Sequence, residues 1–210
     1  MSNAHRLPGL LVLDRSFASH IVMAHSNASL KQVVQRLGQL DCQRAARYMQ
    51  EVARQLAELH REGRFHNDVC PRNILLDDLG AARLATHRAL PDADDYNAAQ
   101  GEHLVEIADY LAPEQALNSG RIDGRADIYS LGCTLYFLLV GQAPFPTGTI
   151  TERLYKLQTA VPQPLGGIRA DIPAALVDIC ETMMAKKPSD RYQSAEEVIS
   201  DITRWLRSAR

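Results

Sequence analysis

The stretch Phe65-His66-Asn67-Asp68-Val69-Cys70-Pro71-Arg72-Asn73-Ile74-Leu75-Leu76 decides how the rest of the chain is read. It places an acid, Asp68, shortly before an amide, Asn73, and then runs into an apolar segment. An acid that receives or orients a hydroxyl proton, together with an amide oxygen that holds a metal, is the minimum of a phosphoryl-transfer site. Taken alone, the same residues are ordinary loop formers, because Asp and Asn side chains bond nearby backbone groups in tight turns. The flanking segments therefore decide between the two readings.

Immediately upstream, Asp41 caps a long helix. Ala45, Met49, Val52, Leu56 and Leu59 keep helical spacing while Arg44, Arg47 and Arg54 take the wet side. Gly63 ends it. Further back, Asn27-Ala28-Ser29 caps a helix over about 30–38. Residues 10–13 and 17–23 read as a hairpin around Asp14-Arg15-Ser16. Downstream, 73–76 and 82–85 pair as short strands around Asp78-Leu79-Gly80. The segment 90–103 has almost no apolar content and reads as loop. Residues 125–140 are apolar nearly all round, which predicts a buried central helix stopped by Gly141. Helices near 149–159, 174–185 and 194–207 follow, the last opened by a Ser194-Ala195-Glu196-Glu197 capping box.

A chain of 210 residues, 46% apolar and 23% charged, is sized for one globular domain. A formal charge of −2 gives no basic surface for nucleic acid or an anionic membrane. Cys42, Cys70, Cys133 and Cys180 lack the close spacing of a zinc site or disulfide framework, which points to a reducing cytoplasm. There is no signal-peptide pattern, and the longest apolar run, 131–140, is too short to cross a bilayer.

Four segments in order carry a family resemblance. His66 to Asn73 resembles the catalytic loop of the eukaryotic-type (Hanks-type) serine/threonine protein kinases, whose pattern is His-Arg-Asp, a Lys two residues on, then Asn. Leu111-Ala112-Pro113-Glu114-Gln115 resembles the Ala-Pro-Glu motif that closes the activation segment. Asp127-Ile128-Tyr129-Ser130-Leu131-Gly132 resembles the start of the central helix, and Lys187-Pro188-Ser189-Asp190-Arg191-Tyr192 the late Arg motif. The likeness covers about residues 9 to 207. It implies a mainly α (α+β) fold. A kinase-like C-terminal helical lobe over 29–207 follows a β-hairpin and hinge remnant of the N-terminal lobe over 9–28, and 1–8 are set aside as a flexible N-terminus or cloning remnant. Met23, Ala24 and His25 fall on the nucleotide-binding hinge. No glycine-rich loop or ATP-anchoring Lys occurs in residues 1–30, so those parts are expected to lie ahead of residue 1.

The resemblance assigns Asp68 as candidate base and Asn73 as a magnesium ligand. His66, Glu114, Asp127 and Arg191 are implied to be structural: Glu114 and Arg191 as a buried ion pair, Asp127 as the acid that bonds the catalytic-loop backbone. The departures cluster where nucleotide is handled. Asn67 replaces an Arg, and Cys70 replaces the Lys that would approach the γ-phosphate, its other reading being a reactive thiol in a cleft. Thr86, in Thr86-His87-Arg88, falls where the metal-binding Asp of Asp-Phe-Gly belongs. A slip of alignment would make Asp77 or Asp78 that acid, on the wrong side of a strand pair. Magnesium favours hard anionic oxygens. Residues 89–107 contain no Ser or Thr, Tyr96 is their one hydroxyl, and Glu106-Ile107 replaces the usual Gly-Thr. Asp92, Asp94, Asp95 and Glu102 make that loop acidic, a solvated segment or a docking surface for a basic partner.

These residues predict an inactive, pseudokinase-type binding or regulatory module with no cofactor of its own. The competing reading is an active serine/threonine kinase using ATP and Mg2+, completed by a missing N-terminal lobe and favoured over a tyrosine kinase by Pro71. A small-molecule phosphotransferase shares His-x-Asp-x-x-x-x-Asn but not the Ala-Pro-Glu or central-helix segments. Leu10, Leu11, Val12, Leu13, Ile21, Val22 and Met23 form an apolar hairpin expected to meet a protein partner or a second copy. No nucleic-acid partner and no membrane segment are expected.

Overall fold

The computed structural model describes residues 28–85, 106–117 and 122–209. The N-terminal hairpin, the hinge residues Met23, Ala24 and His25, and the Thr86-His87-Arg88 segment with the acidic loop after it lie outside the described residues. What is described is mostly helical, with one two-stranded antiparallel sheet.

Helix α1 (Leu30–Leu37) opens on a capping box: Ser29 Oγ accepts from the Gln32 amide at 3.2 Å, and Gln32 Oε1 accepts from the Ser29 amide at 3.0 Å. Helix α2 (Cys42–Arg61) starts at Asp41, whose Oδ1 accepts from the Arg44 amide at 2.8 Å. Its face of Ala45, Met49, Val52 and Leu56 is fully buried. The chain leaves it through Gly63 at φ 70°, a left-handed turn that suits glycine.

Strands β1 (Ile74–Leu76) and β2 (Ala82–Leu84) pair in the register Ile74↔Leu84, Leu75↔Arg83 and Leu76↔Ala82. A strand this short leaves unpaired backbone groups along its outer edge. Side chains of α2 take those of β2. Gln55 donates to the Ala82 carbonyl at 2.9 Å and accepts from the Leu84 amide at 2.9 Å, and Glu51 accepts from the Ala82 amide at 2.7 Å. The helix that precedes the loop 64–73 thereby fixes the second strand that follows it.

Helix α4 (Gly124–Val140) runs through the core, buried on nearly every side; α3 is the single turn Pro113–Ala116. A buried helix end must find partners for its last four carbonyls. Each has one here. Phe137 O accepts from the Gly141 amide at 2.7 Å, and Leu138 O from the Leu40 amide at 2.9 Å. Leu139 O accepts from Arg169 Nη1 at 2.8 Å, and Val140 O from Gln39 Nε2 at 2.8 Å. Gly141 stops the helix in the left-handed conformation, φ 83°.

Against α4 pack α2, α6 (Leu165–Ile168) and α7 (Ala174–Met183), while α5 (Ile150–Thr159) packs against α3 and is followed, after α7, by α8 (Ala195–Ser208). Gly132 lets α4 and α7 approach closely, since a Cβ there would lie 2.8 Å from Met183 Cβ. Helix α8 closes over α2 and α7.

Three details differ from the sequence expectation. The helical run near 174–185 ends at Met183, where Met184 leaves helical geometry. The box at Ser194 is half formed: its hydroxyl accepts from the Glu197 amide, but Glu197 reaches back to the Gln193 amide at 2.7 Å instead of that of Ser194. The turns α3 and α6 are too short to show a helical period in sequence.

Candidate functional site

The loop 64–73 is suspended between α2 and β1, and one carboxylate holds its first half. Asp127, in the first turn of α4 and 1% exposed, accepts from the His66 amide at 2.9 Å (Oδ2) and the Asn67 amide at 2.7 Å (Oδ1). His60 Nε2, from the last turn of α2, reaches Oδ2 at 2.8 Å. Gly124 makes room for that ring, since a Cβ there would meet His60 Nδ1 at 2.6 Å. An acid in a first turn is also favoured by the helix dipole. Asn67 carries φ 62°, the one left-handed non-glycine among the described residues. Asn tolerates this conformation better than most side chains, and the Asp127 bond to its amide holds it there.

His66 ties the loop to the end of β2. Its Nδ1 accepts from the Asp68 amide at 3.3 Å, which assigns the ring proton to Nε2, the donor to the Ala85 carbonyl at 2.7 Å. Asn73 is 5% exposed and fastens the loop internally: Nδ2 donates to the Asp68 carbonyl at 2.9 Å, and its carbonyl accepts from the Ala85 amide at 2.8 Å. Among the described residues, the Asp68 carboxylate and Asn73 Oδ1 take no hydrogen bond. Those two groups are what the loop offers to a ligand.

Cys70 does not face a cleft. It is 1% exposed, and burial first, then the neighbouring Asp68 charge, push its thiol up to about 12. At neutral pH it is an uncharged apolar group, so it supplies neither the cation of a lysine nor a reactive thiolate. Asp77 is equally unavailable as a displaced metal acid. Its Oδ1 accepts from the Leu79 and Ala81 amides at 3.0 and 2.9 Å, and its Oδ2 pairs with Arg83 Nε at 2.9 Å. Those bonds, that to Ala81 foremost, hold its carboxyl below the usual range.

The activation-segment end is clamped to the same loop. Gln115 accepts from the Ala112 amide at 2.9 Å and donates to the Asn67 carbonyl at 3.2 Å. Asp109 receives two bonds from Arg153 Nη1 on α5, at 2.6 and 2.8 Å. Glu114 forms a bidentate pair with Arg191 at 2.7 and 2.8 Å. Arg191 spends its other hydrogens on the carbonyls of Ala185, Arg125 and Lys186 and lies over the Tyr129 ring at 4.8 Å. His60, Gln115 and Gln55 were not singled out from sequence, because a lone His or Gln on a helix has no pattern to reveal its partner.

The profile of the family described as "Protein kinase domain" matches residues 12–202. The chain belongs to this family. It is similar to "Serine/threonine-protein kinase PknB" of Mycolicibacterium smegmatis, 32% identical over 189 residues that make up 88% of this chain and 30% of that protein. It is similar also to "Probable serine/threonine-protein kinase PknB" of Corynebacterium glutamicum, 32% identical over 93% of this chain and 31% of that protein. A probable serine/threonine-protein kinase of Clostridium acetobutylicum is 29% identical over 88% of this chain. The chain spans about 30% of the length of these relatives.

In an active member of the family the loop serves ATP and magnesium. Among the described residues, the loop donors that could meet that ion are the Asp68 carboxylate and Asn73 Oδ1. Among the described residues no three His, Cys, Asp or Glu side chains gather to hold a metal, and the loop supplies one carboxylate and one neutral amide oxygen. Magnesium takes one or two carboxylates together with the phosphates. No described helix is long and apolar enough to cross a membrane.

Proposed function

We infer that this kinase domain is catalytically inactive and works as a binding or regulatory module. The observation that carries this reading is the neutral, buried thiol of Cys70 at the place of the loop lysine. Thr86, at the place of the metal-binding acid, adds to it. Each preorganised electrostatic group lost from such a site lowers the rate by about 10²–10³. Losing two takes a turnover of about 1–100 s⁻¹ down by about 10⁴ or more. The scaffold contacts of Asp127, His66, Glu114 and Arg191 serve the shape of the lobe. In this reading Asp68 and Asn73 are remnants of a base and a metal ligand, and the chain uses no ATP or Mg2+.

One observation favours the active-kinase alternative: the Asp68 carboxylate is unencumbered among the described residues. A phosphorylation assay with a generic basic protein, ATP and Mg2+ separates the two. The inactive module gives background incorporation, equal in the wild type and in Asp68→Ala. Incorporation that disappears in Asp68→Ala overturns it.

The cytoplasm is the compartment we assign, supported by four free thiols, three of them buried. The apolar residues of 10–13 and 21–23 remain, on their sequence alone, our candidate contact for a protein partner or a second copy.

A further inference from the structure

A cavity of about 300 Å³ opens between α4, the link from α5 to α6, and α7. Tyr136 of α4, Pro164 and Leu165 of the link, and Cys180 and Met184 of α7 and its end make much of the wall. The link is fastened there: Tyr136 Oη donates to the Gln163 carbonyl at 3.0 Å, and the tyrosine is buried. Cys180 is buried too, and burial holds its thiol well above the ordinary value, so it is uncharged. The interior is therefore mainly apolar, and its volume lies at the low end of small-molecule sites. At the rim Val161 is 84% exposed, an apolar side chain that nothing described covers.

Two charged residues share the wall, Glu181 and Lys186, and their settings differ. Glu181 is exposed, so water screens its charge. Lys186 is half-buried, and among the described residues no carboxylate pairs with it. Neutral groups hold its ammonium instead. Nζ donates to the Leu157 carbonyl at 2.7 Å and to the Tyr129 hydroxyl at 3.5 Å, and lies 4.8 Å from the centre of the Phe145 ring. Burial lowers the pKa of this ammonium to about 8, which leaves it charged at pH 7. An ammonium donates three hydrogen bonds, and two acceptors are described for this one. A half-buried cation that lacks a counter-ion, on the wall of an apolar cavity, favours an anion brought in with an apolar body.

We propose that this cavity binds a small amphipathic carboxylate, an aryl or short-chain acid whose apolar body fills the space beside Tyr136, Leu165 and Met184 and whose carboxylate pairs with Lys186. The flexible four-carbon stem of the lysine lets the ammonium meet that group. The inference goes beyond the module reading and stands apart from it, because the cavity shares no residue with the loop 64–73.

The probe is 2-naphthoate, with 2-naphthalenemethanol and 2-naphthylmethylammonium as its neutral and cationic matches, titrated into the full chain at pH 7 without nucleotide. Labelled methionine methyls report the place by NMR. Excess naphthoate shifts the Met184 signal, whereas that of Met49, which does not line the cavity, stays. Calorimetry reports the headgroup. The acid binds about tenfold or more tightly than the alcohol, and the ammonium more weakly than either. Lys186→Met removes the advantage of the acid. A Met184 signal that does not move, affinity that ignores the headgroup, a preference for the ammonium, or an undiminished advantage in Lys186→Met overturns the proposal. If the variant folds poorly for want of the bond to Leu157, the headgroup comparison and the Met184 signal in the wild type decide alone. Failure here leaves the inactive-module reading intact, and phosphate transfer that depends on Asp68 sinks that reading without touching this one.

Discussion

Replacing Arg191 with Met lowers the unfolding free energy by about 3–5 kcal/mol, the cost of stranding one member of a buried ion pair. The Arg191 side chain is fully buried and the Glu114 side chain is 12% exposed, so solvent cannot take over the missing contact. The guanidinium makes five hydrogen bonds: two to the Glu114 carboxylate and one each to three backbone carbonyls. That is its full complement of donors. Methionine keeps much of the volume over Tyr129 but leaves a carboxylate and three carbonyls without their donor. For a domain of this size, about 2–4 °C of melting temperature accompanies each kcal/mol. Thermal and denaturant unfolding of the variant therefore show a fall of roughly 6–20 °C. Arg191→Lys fails to rescue, because one ammonium cannot reproduce a planar fork with five donors. A loss under about 1 kcal/mol would mean that the late helices do not depend on this pair.

Asp127→Ala has an effect of similar size by a different route. The carboxylate accepts from two backbone amides of the loop and from His60, with nothing else described nearby to replace it. Each buried donor left unsatisfied costs about 1–3 kcal/mol. Over three donors the sum is roughly 3–9 kcal/mol, brought toward the low end where water enters the cavity. Asn67 then loses the bond that holds it at φ 62° and relaxes toward an ordinary conformation. Hydrogen exchange at the His66 and Asn67 amides, compared in the wild type and the variant, localises the effect. It rises at these two amides beyond the global change in stability. Uniform acceleration across the lobe would contradict the role assigned to Asp127.

Periodicity made the long elements legible. The apolar rows of α2 and the all-round apolar character of α4 state helix and burial together, and Ser29, Asp41 and Gly141 mark their ends. Spacing alone said nothing about the contacts that fasten the site. Gln55 completing the edge of β2, and Gln39 and Arg169 capping α4, are single polar residues far from their partners in sequence. Only the fold brings them together.

The loop itself was legible by resemblance and not from geometry. Sequence placed Cys70 where a lysine faces the phosphates. The chain buries it, because a short apolar side chain gains more from the core than from an aqueous cleft. Asn67, read first as a lost arginine, is also a residue suited to left-handed backbone. At Ser194 the sequence pattern of a capping box was present, but Glu197 found a better-placed amide one residue earlier.

The most direct measurement is a thermal-shift titration of the full-length protein with ATP, with and without magnesium. A ligand at one hundred times its dissociation constant stabilises the folded state by about 2.7 kcal/mol, which is a rise of roughly 5–11 °C for a domain of this size. Thr86 at the place of the metal-binding acid and the buried, neutral Cys70 at the place of the loop lysine predict no magnesium-dependent rise at millimolar ATP. A rise of that size which needs magnesium and vanishes in Asn73→Ala would contradict it.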